Sequence, residues 1–410
     1  METKDQLKQD PYAWVVMSNL WAIDIGNVFV FMSIGVLLPL WQEDLGISPI
    51  QAGILGSAGF FGFGLMSLPT SIWLTKYNPK IVTFIATLGM GITSLAHSLA
   101  TNVEILIISR FTFVALASVR LTLQIIFIQQ WFQSRLYSIV NGLDFSIRSI
   151  GQTLALVLVP AMVTIFDSWR LVYVVIAIYM IAFSLSWIFF GKQSTTTNPT
   201  NTSSTKQGNP AGVLVRKKIL WVIAGSQMGI ACTFASFVTF YPSYSIEHMN
   251  ISVATAGLLM SAFPLGGIFG SVLGGALSQK IGRRKPILLF AGLILPGMYL
   301  ILLNIDIISI AYLILFVIGA LAMSFPPVLF TIQLYMKLSP REVAVAGGLN
   351  RTLFPIGATM GPIIVGALQE SSGSLLTGLT FVSPLPITLF IAALFIPETG
   401  PKAEINKSYL

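Results

Sequence analysis

Apolar stretches separated by short polar breaks recur from residue 12 to residue 396, near 12–40, 50–74, 80–99, 104–131, 137–165, 170–190, 218–243, 254–278, 286–304, 307–336, 342–370 and 374–396. Each is long enough to cross the roughly 30 Å hydrocarbon core of a bilayer as an α-helix. The pattern predicts an all-α membrane protein with twelve transmembrane helices. The first run is too long for a removable signal peptide and lacks a basic flank and a small-residue cleavage site, so it is expected to be the first membrane helix.

One polar interval differs from the rest. Residues 191–217 form a Thr, Asn, Ser, Gly and Pro tract without apolar periodicity, which predicts a flexible linker between six helices and six. The two sides repeat one another. Ile47-Ser48, Ala52-Gly53, Leu55 and Ser57-Ala58 recur 204 residues later as Ile251-Ser252, Ala256-Gly257, Leu259 and Ser261-Ala262. Arg135, Gly142-Leu143, Ile150-Gly151 and Thr153 recur 206 residues later as Arg341, Gly348-Leu349, Ile356-Gly357 and Thr359. An even number of helices per repeat makes the halves related by a pseudo-two-fold axis along the membrane normal, with a pathway between them. The expected organisation is a six-helix bundle over 1–191, a linker over 192–216 and a second six-helix bundle over 217–410. Glycines 53, 56, 59 and 62 in the second run and 266, 270 and 274 in the eighth predict close helix packing.

Composition agrees with a membrane protein: 55% of residues are hydrophobic and 9% are charged. Charge placement adds an orientation. Of 23 Lys and Arg residues, Arg110, Arg120, Arg148 and Arg351 lie inside apolar runs. Arg170 falls on one side of the trace with Glu43, Asp44, Glu104, Asp167, Glu247, Asp306 and Glu370, and every other Lys and Arg falls on the opposite side. Basic short loops stay cytoplasmic, so both termini are expected there, in the cell inner (plasma) membrane. The asymmetry also accounts for the formal net charge of +8 without a nucleic-acid partner. A single cysteine, Cys232, and two histidines, His97 and His248, leave no metal, cofactor or catalytic constellation. With no nucleotide-binding loop and no hydrolase motif, neither an ATP-driven pump nor an enzyme is expected.

The embedded charges are the candidate chemistry. An arginine near the bilayer centre costs at least ~2.5–3.5 kcal/mol on insertion scales, so several are tolerated only where they face a polar interior. Counting ~1.5 Å per residue from each helix midpoint places Asp24, Arg120, Arg148 and Arg351 within roughly 3–8 Å of the midplane on the basic side. Arg110 falls about 10 Å toward the other face, and Asp144 about 10 Å toward the basic one. Asp144 and Arg148, four apart on one helix, are placed to pair, and Asp24 is placed to neutralise Arg120. Arg110 and Arg351 then lack acidic partners, and the positive excess predicts an anionic ligand. Arg351 is the foremost candidate, because a guanidinium holds a carboxylate bidentately, and Asn350 beside it adds a neutral hydrogen-bonding group. Gln124 and Gln227 are further candidates for orienting a substrate oxygen, with bridging between helices as their alternative role. Trp21, Tyr241, Phe325 and Tyr335 are candidates to wall a cavity or to pack. Pro326-Pro327 is expected to kink the tenth helix.

The loop Gly275-Ala276-Leu277-Ser278-Gln279-Lys280-Ile281-Gly282-Arg283-Arg284 resembles the cytoplasmic signature of the major facilitator superfamily of secondary transporters. It departs from that signature at Gln279, where the family usually has Asp, and the matching loop from Trp73 to Lys80 is degraded. Arg110, Trp131-Phe132 with Arg135, and Asp167-Ser168-Trp169-Arg170 are similar to the branches that carry organic anions, cyanate and related small anions. The Gly-Pro signature of antiporters is absent around Pro160, while Gly357, Gly361-Pro362 and Gly366 form a similar pattern in the eleventh helix. The resemblance implies that helices one and four line a central cavity, that helices five and eleven flank the seam, that Arg110 braces packing, and that Gly275, Lys280, Gly282, Arg283 and Arg284 serve a cytoplasmic gate.

The expected function is secondary transport of a small anion, a carboxylate or similar oxyanion, by alternating access in a monomer. Coupling is expected through proton symport, with Asp24 taking a proton once substrate draws Arg120 away, or through anion exchange. A proton-coupled multidrug exporter and a non-transporting sensor of the same fold are the alternatives.

Overall fold

In a computed structural model the protein is all-helical, with residues 10–73, 77–133, 136–193, 212–334, 336, 338 and 340–399 described. The helices are α1 (Tyr12–Leu45), α2 (Pro49–Trp73), α3 (Pro79–Ser98), α4 (Val103–Trp131), α5 (Tyr137–Phe166), α6 (Trp169–Phe190), α7 (Gly212–Arg216), α8 (Ile219–Met249), α9 (Val253–Ile281), α10 (Lys285–Leu302), α11 (Ile308–Leu334), α12 (Pro340–Ser372), α13 (Leu375–Val382) and α14 (Ile387–Phe395). Among the described residues twelve spans are long and apolar enough to cross a membrane, the last formed by α13 and α14 together.

Local chemistry sets many of the ends. Asn78 accepts from the Lys80 and Ile81 N–H groups to start α3, Asn102 from Ile105 to start α4, and Ser252 from Thr255 to start α9. Gly282 stops α9 with φ 72°, a left-handed backbone that a glycine reaches without a Cβ penalty.

Three details depart from the apolar pattern. Helices α1 and α8 continue to Leu45 and Met249, beyond their apolar runs and through Pro39 and Pro242. The expected linker contains α7 at its end, while residues 194–211 lie outside the described residues, as do Arg135 and Tyr335. The twelfth span is broken between Val382 and Ile387, because Pro384 and Pro386 supply no backbone donor. Three-residue turns carry the chain across the break, and the Val382 carbonyl, denied a helical donor at Pro386, accepts from the Leu385 N–H at 3.1 Å and from Thr233 Oγ1 on α8 at 2.6 Å. A turn N–H and a neighbouring hydroxyl thus stand in for the missing donor, as hydrocarbon surroundings require. Helix α11, by contrast, runs on through Pro326 and Pro327.

Helices α1–α6 pack among themselves through α1 with α5 and α6, α3 with α4 and α6, and α2 with α4. The second set does so through α9 with α11, α8 with α12, α13 and α14, and α10 with α11 and α14. The seam between the sets is made by α2 against α12, α5 against α9, and α1 against α8. The seam carries the sequence repeat. A Cβ at Gly53 of α2 would strike the Pro362 carbonyl of α12, and one at Gly257 of α9 would strike the Leu156 carbonyl of α5. Gly257 is Gly53 displaced by 204 residues, and Pro362 is Leu156 displaced by 206, so the two contacts are pseudo-symmetry mates.

The halves touch toward the acidic face and separate toward the basic one. Gly35 meets Val238 of α8, Gly366 meets Pro49, Ser57 Oγ donates to the Thr359 carbonyl at 2.6 Å, and the Ile50 N–H donates to Glu370 Oε2 at 3.1 Å. Toward the basic face a Cβ at Gly142, Gly225, Gly275, Gly347 or Gly348 would meet open space. With the contacts between the bundles gathered toward the acidic loops, we read the space between them on the side of the basic loops as a cleft.

Candidate functional site

Three helices of the first half bring together a buried polar network. Asp24 is on α1, Arg120 and Gln124 on α4, and Asp144 and Arg148 on α5. Arg120, fully buried, gives one Nη2 contact to Asp24 Oδ1, a second to Gln124 Oε1 at 2.6 Å, and an Nη1 bond to the Leu20 carbonyl at 3.2 Å. Gln124 Nε2 then donates to Asp144 Oδ1, so both ends of its amide are engaged inside the protein. Asp144 pairs with Arg148 Nη2 at 2.8 Å, and the same Nη2 lies 3.6 Å from Asp24 Oδ2. Spacing explains the choice: residues 120 and 124, like 144 and 148, are one helical turn apart and share a face. Two carboxylates and two guanidinium groups make the network formally neutral, which is how hydrocarbon tolerates it.

Access divides its members. The side chains of Asp24 and Arg120 are 1% and 0% exposed, whereas those of Asp144 and Arg148 are 16% and 28% exposed. Arg148 is therefore the cation of this network that a solute in the cleft can reach. Its Nε is buried and has no hydrogen-bond partner among the described residues.

Arg351 is elsewhere. It is exposed on α12, with no hydrogen bond or ion pair among the described residues. Its own helix shows where it points. One turn on, Pro355 packs on Gly64 of α2, and Phe354 belongs to a cluster with Phe60, Ala231 and Ala358 at the seam. The same face one turn toward the basic side, where the helices have parted, carries Arg351. Asn350 beside it is half-buried with an unpaired Oδ1. Gln227 of α8 is half-buried, without a side-chain partner among the described residues, and lies one turn before Ala231 of that same cluster.

Arg110 is fully buried and binds the carbonyls of Val30 and Phe31 at 3.1 Å each, so it joins α4 to α1 without a carboxylate. Trp21 and Tyr241 are buried with unpaired polar atoms, and Phe325 is in the second-half core.

Of the expected gating loop, Gly275 and Lys280 lie within α9, Gly282 caps its end, and Lys280 and Arg283 are exposed. Arg284 is 6% exposed: its backbone N–H donates to Glu398 Oε1 at 2.8 Å, and its guanidinium to the Thr399 carbonyl at 2.8 Å. Lys285 adds a bond to Glu398 Oε2 at 3.1 Å, so this loop is tied to the end of its own bundle. On the acidic face, Arg170 pairs with Asp44 at 2.5 Å and stacks over Trp169, whose Nε1 donates to the same carboxylate. That motif joins the start of α6 to the end of α1.

Residues that the sequence pattern did not single out complete the site. Gln152 follows Arg148 by one turn of α5, and lines a small pocket with Met32, Leu156, Phe234, Val238, Met260, Phe263 and Pro264. Phe31, Phe60, Phe234 and Phe263 form an unbroken series of ring contacts from the first half to the second, with centroids 5.2, 6.3 and 5.3 Å apart. This aromatic bar crosses the seam on the acidic side of the charged network. The i, i+4 relation of 148 and 152 was a usable signal for Gln152; the bar needed the inter-helix geometry.

Comparison with known proteins agrees with this architecture. The protein named "Probable sulfoacetate transporter SauU" of Cupriavidus necator is 21% identical over 373 residues, covering 84% of each chain. The hexuronate transporter of Bacillus subtilis is 22% identical over 424 residues, covering 96% of this chain and 98% of its own. The crystal structure of a bacterial homologue of the human lysosomal transporter Spinster, in an inward-facing and occupied conformation, superposes with a TM-score of 0.77 at 17% identity, covering 95% of this chain and 97% of that one. The family model for the Major Facilitator Superfamily matches residues 20–338 and 247–409, and the chain belongs to that family of multi-pass membrane transporters.

Proposed function

We propose that this transporter carries a small organic anion, a carboxylate or similar oxyanion, by alternating access, with Arg148 and Arg351 as the groups that hold it. The observation that carries this reading is the state of those two side chains, one from each half: Arg351 is exposed without a partner among the described residues, and Arg148 is only partly buried. Guanidinium groups bind oxyanions bidentately and without a change of protonation. The sulfoacetate and hexuronate transporters that the chain resembles are named for organic anions, which favours the same class. Asn350 and Gln227, each with an unengaged amide, supply neutral donors beside the cations, whereas Arg120 and Gln124 are committed to the network and act by positioning Asp24 and Asp144.

Coupling follows from sharing. Arg148 neutralises Asp144 and lies beside Asp24, so an anion that draws Arg148 toward the cleft leaves the less buried carboxylate, Asp144, without its cation. A proton taken up there would accompany the anion; exchange of one anion for another would return Arg148 to Asp144 without a proton. Arg110 braces α4 on α1 throughout.

On the distribution of Lys and Arg, the basic face is cytoplasmic, both termini lie there, and the protein acts in the plasma membrane. The cleft then opens inward. The bundles, 1–191 and 217–410 with 192–216 between them, would rock about the site within a monomer, breaking the contacts of Gly53 and Gly257 as the acidic side opens.

The test is uptake of labelled organic anions into proteoliposomes, with and without a pH gradient or an internal counter-anion. Arg351→Gln is expected to leave thermal stability unchanged and raise KM about ten- to a hundredfold, the loss of one charge-assisted hydrogen-bonding group. Unchanged flux in both Arg351→Gln and Arg148→Gln would remove the arginines from the site.

A further inference from the structure

We infer that the anion's uncharged end is short and apolar, so that aliphatic carboxylates or sulfonates are preferred over polyhydroxylated acids; this deepens the proposed anion site and rests on it. The inference comes from what lies above Arg148. Along α5, Arg148, Gln152 and Leu156 are one turn apart on a shared face, and the second and third line the pocket. Side chains on a helix lean toward its N-terminus, which for α5 is the basic end, so the Gln152 amide leans toward the Arg148 level. The rest of the pocket is carbon and thioether: Met32, Leu156, Phe234, Met260 and Phe263 come from both halves and close it from four helices. Phe234 and Phe263 touch each other at 5.3 Å across the pocket, and Val238 of α8 and Met260 of α9 lie about a turn beyond them toward the acidic face.

An oxyanion held at Arg148 with its remainder pointing toward the closed side therefore meets one amide and then apolar surface. Hydroxyl groups carried into that pocket lose water and find one protein partner among them. Each unpaired hydroxyl costs enough to weaken binding about ten- to a hundredfold, while a methylene in the same place is buried favourably. The pocket is narrow and bounded by two methionines, residues that adapt to short flexible chains. Its space is that of a single small group, which takes the end of a short chain and excludes a sugar ring.

Matched pairs of ligands test this on the full chain in lipid nanodiscs by titration calorimetry at neutral pH. Propane-1-sulfonate is compared with 2,3-dihydroxypropane-1-sulfonate, and butyrate with 2,3,4-trihydroxybutyrate, so that charge and length stay fixed. The apolar member is expected to bind about ten- to a hundredfold more tightly in the first pair, where one hydroxyl stays unpaired, and more tightly still in the second, where two do. Met260→Gln, which adds a polar partner to the wall, should narrow that ratio, and Gln152→Leu, which removes the existing one, should widen it. Equal or tighter binding of the hydroxylated members, abolished by Arg351→Gln, would overturn the inference and leave the anion site standing. A ratio that neither variant moves would show that the pocket does not meet the uncharged end, and would also overturn it. Absence of binding by all four anions would overturn both.

Discussion

Removing the Asp24 carboxylate tests whether the buried network is held by charge compensation. In Asp24→Ala the Arg120 guanidinium, with no exposed side-chain surface, keeps the Leu20 carbonyl and the Gln124 amide oxygen but loses its carboxylate. An uncompensated buried charge costs about 3–5 kcal/mol, which is two to nearly four orders of magnitude in the folded-to-unfolded ratio. The converse change, Arg120→Met, should be milder. It leaves Asp24 beside Arg148, whose Nη2 is 3.6 Å away, and replaces a long side chain by one of similar reach. The decisive variant is the double one. With Asp24 and Arg120 both removed, the Asp144–Arg148 pair at 2.8 Å remains and is neutral by itself. Asp24→Ala/Arg120→Met should therefore be more stable than Asp24→Ala, the second substitution restoring what the first took away. Thermal unfolding of the purified variants, followed by tryptophan fluorescence, measures the order. If the double variant unfolds at the same temperature as Asp24→Ala or below it, the carboxylate is not there to compensate Arg120, and the argument from charge balance fails.

Two further outcomes follow from packing. Gly53→Val and Gly257→Val place side chains against the Pro362 and Leu156 carbonyls, so each should force the acidic side open and raise labelling of Met32→Cys by an impermeant maleimide, with Cys232 only 5% exposed as background; a variant that labels no faster than its parent would disprove the gate assignment. Thr233→Val removes the hydroxyl donor to the Val382 carbonyl at the break between α13 and α14, leaving the Leu385 N–H as its partner, and should cost about 1 kcal/mol in thermal unfolding, whereas an unchanged midpoint would mean that the Leu385 bond alone satisfies that carbonyl.

The helices were legible because hydropathy and the scarcity of charge are local properties. The break in the last span was written in Pro384-Leu385-Pro386, yet an apolar window counts those residues as carbon and ignores their missing donors. The embedded charges were legible for the same reason as the helices: any ionisable group in such a run stands out. Their partners were legible only where one helix supplies both, as with Asp144 and Arg148. Gln124 reads as a neutral residue with two possible roles until the distance from α4 to α5 shows both ends of its amide engaged. Arg110 needed no acid at all, because α1 offers it two carbonyls that no side-chain pattern records. The loop after α9 shows the opposite case. Glutamine stands at 279 where the resemblance led one to expect an acid, and the Arg284 backbone finds its carboxylate in Glu398, more than a hundred residues away.

The repeat makes the division of labour between the halves explicit. Displaced by 206 residues, Asp144 becomes Asn350 and Arg148 becomes Phe354, while Arg351 corresponds to Phe145. The second half has thus kept the amide shape of the acid, replaced its arginine by an aromatic ring of the seam, and placed a new arginine one position further round the helix. One half carries a balanced set that can lend a cation and recover it; the other carries a single fixed positive charge with no partner among the described residues. Summed over Asp24, Asp144, Arg120, Arg148 and Arg351, the charge at the cleft is +1, since Arg110 is fully buried on the backbone of α1. On the proposed function, a singly charged anion neutralises that sum with both carboxylates ionised, whereas a dianion overfills it by one unless a carboxylate takes a proton. The asymmetry therefore ties coupling to cargo: monoanions suit exchange, and dianions require a co-transported proton. Flux of a monoanion that rises with an inward proton gradient as steeply as that of a dianion would contradict this link.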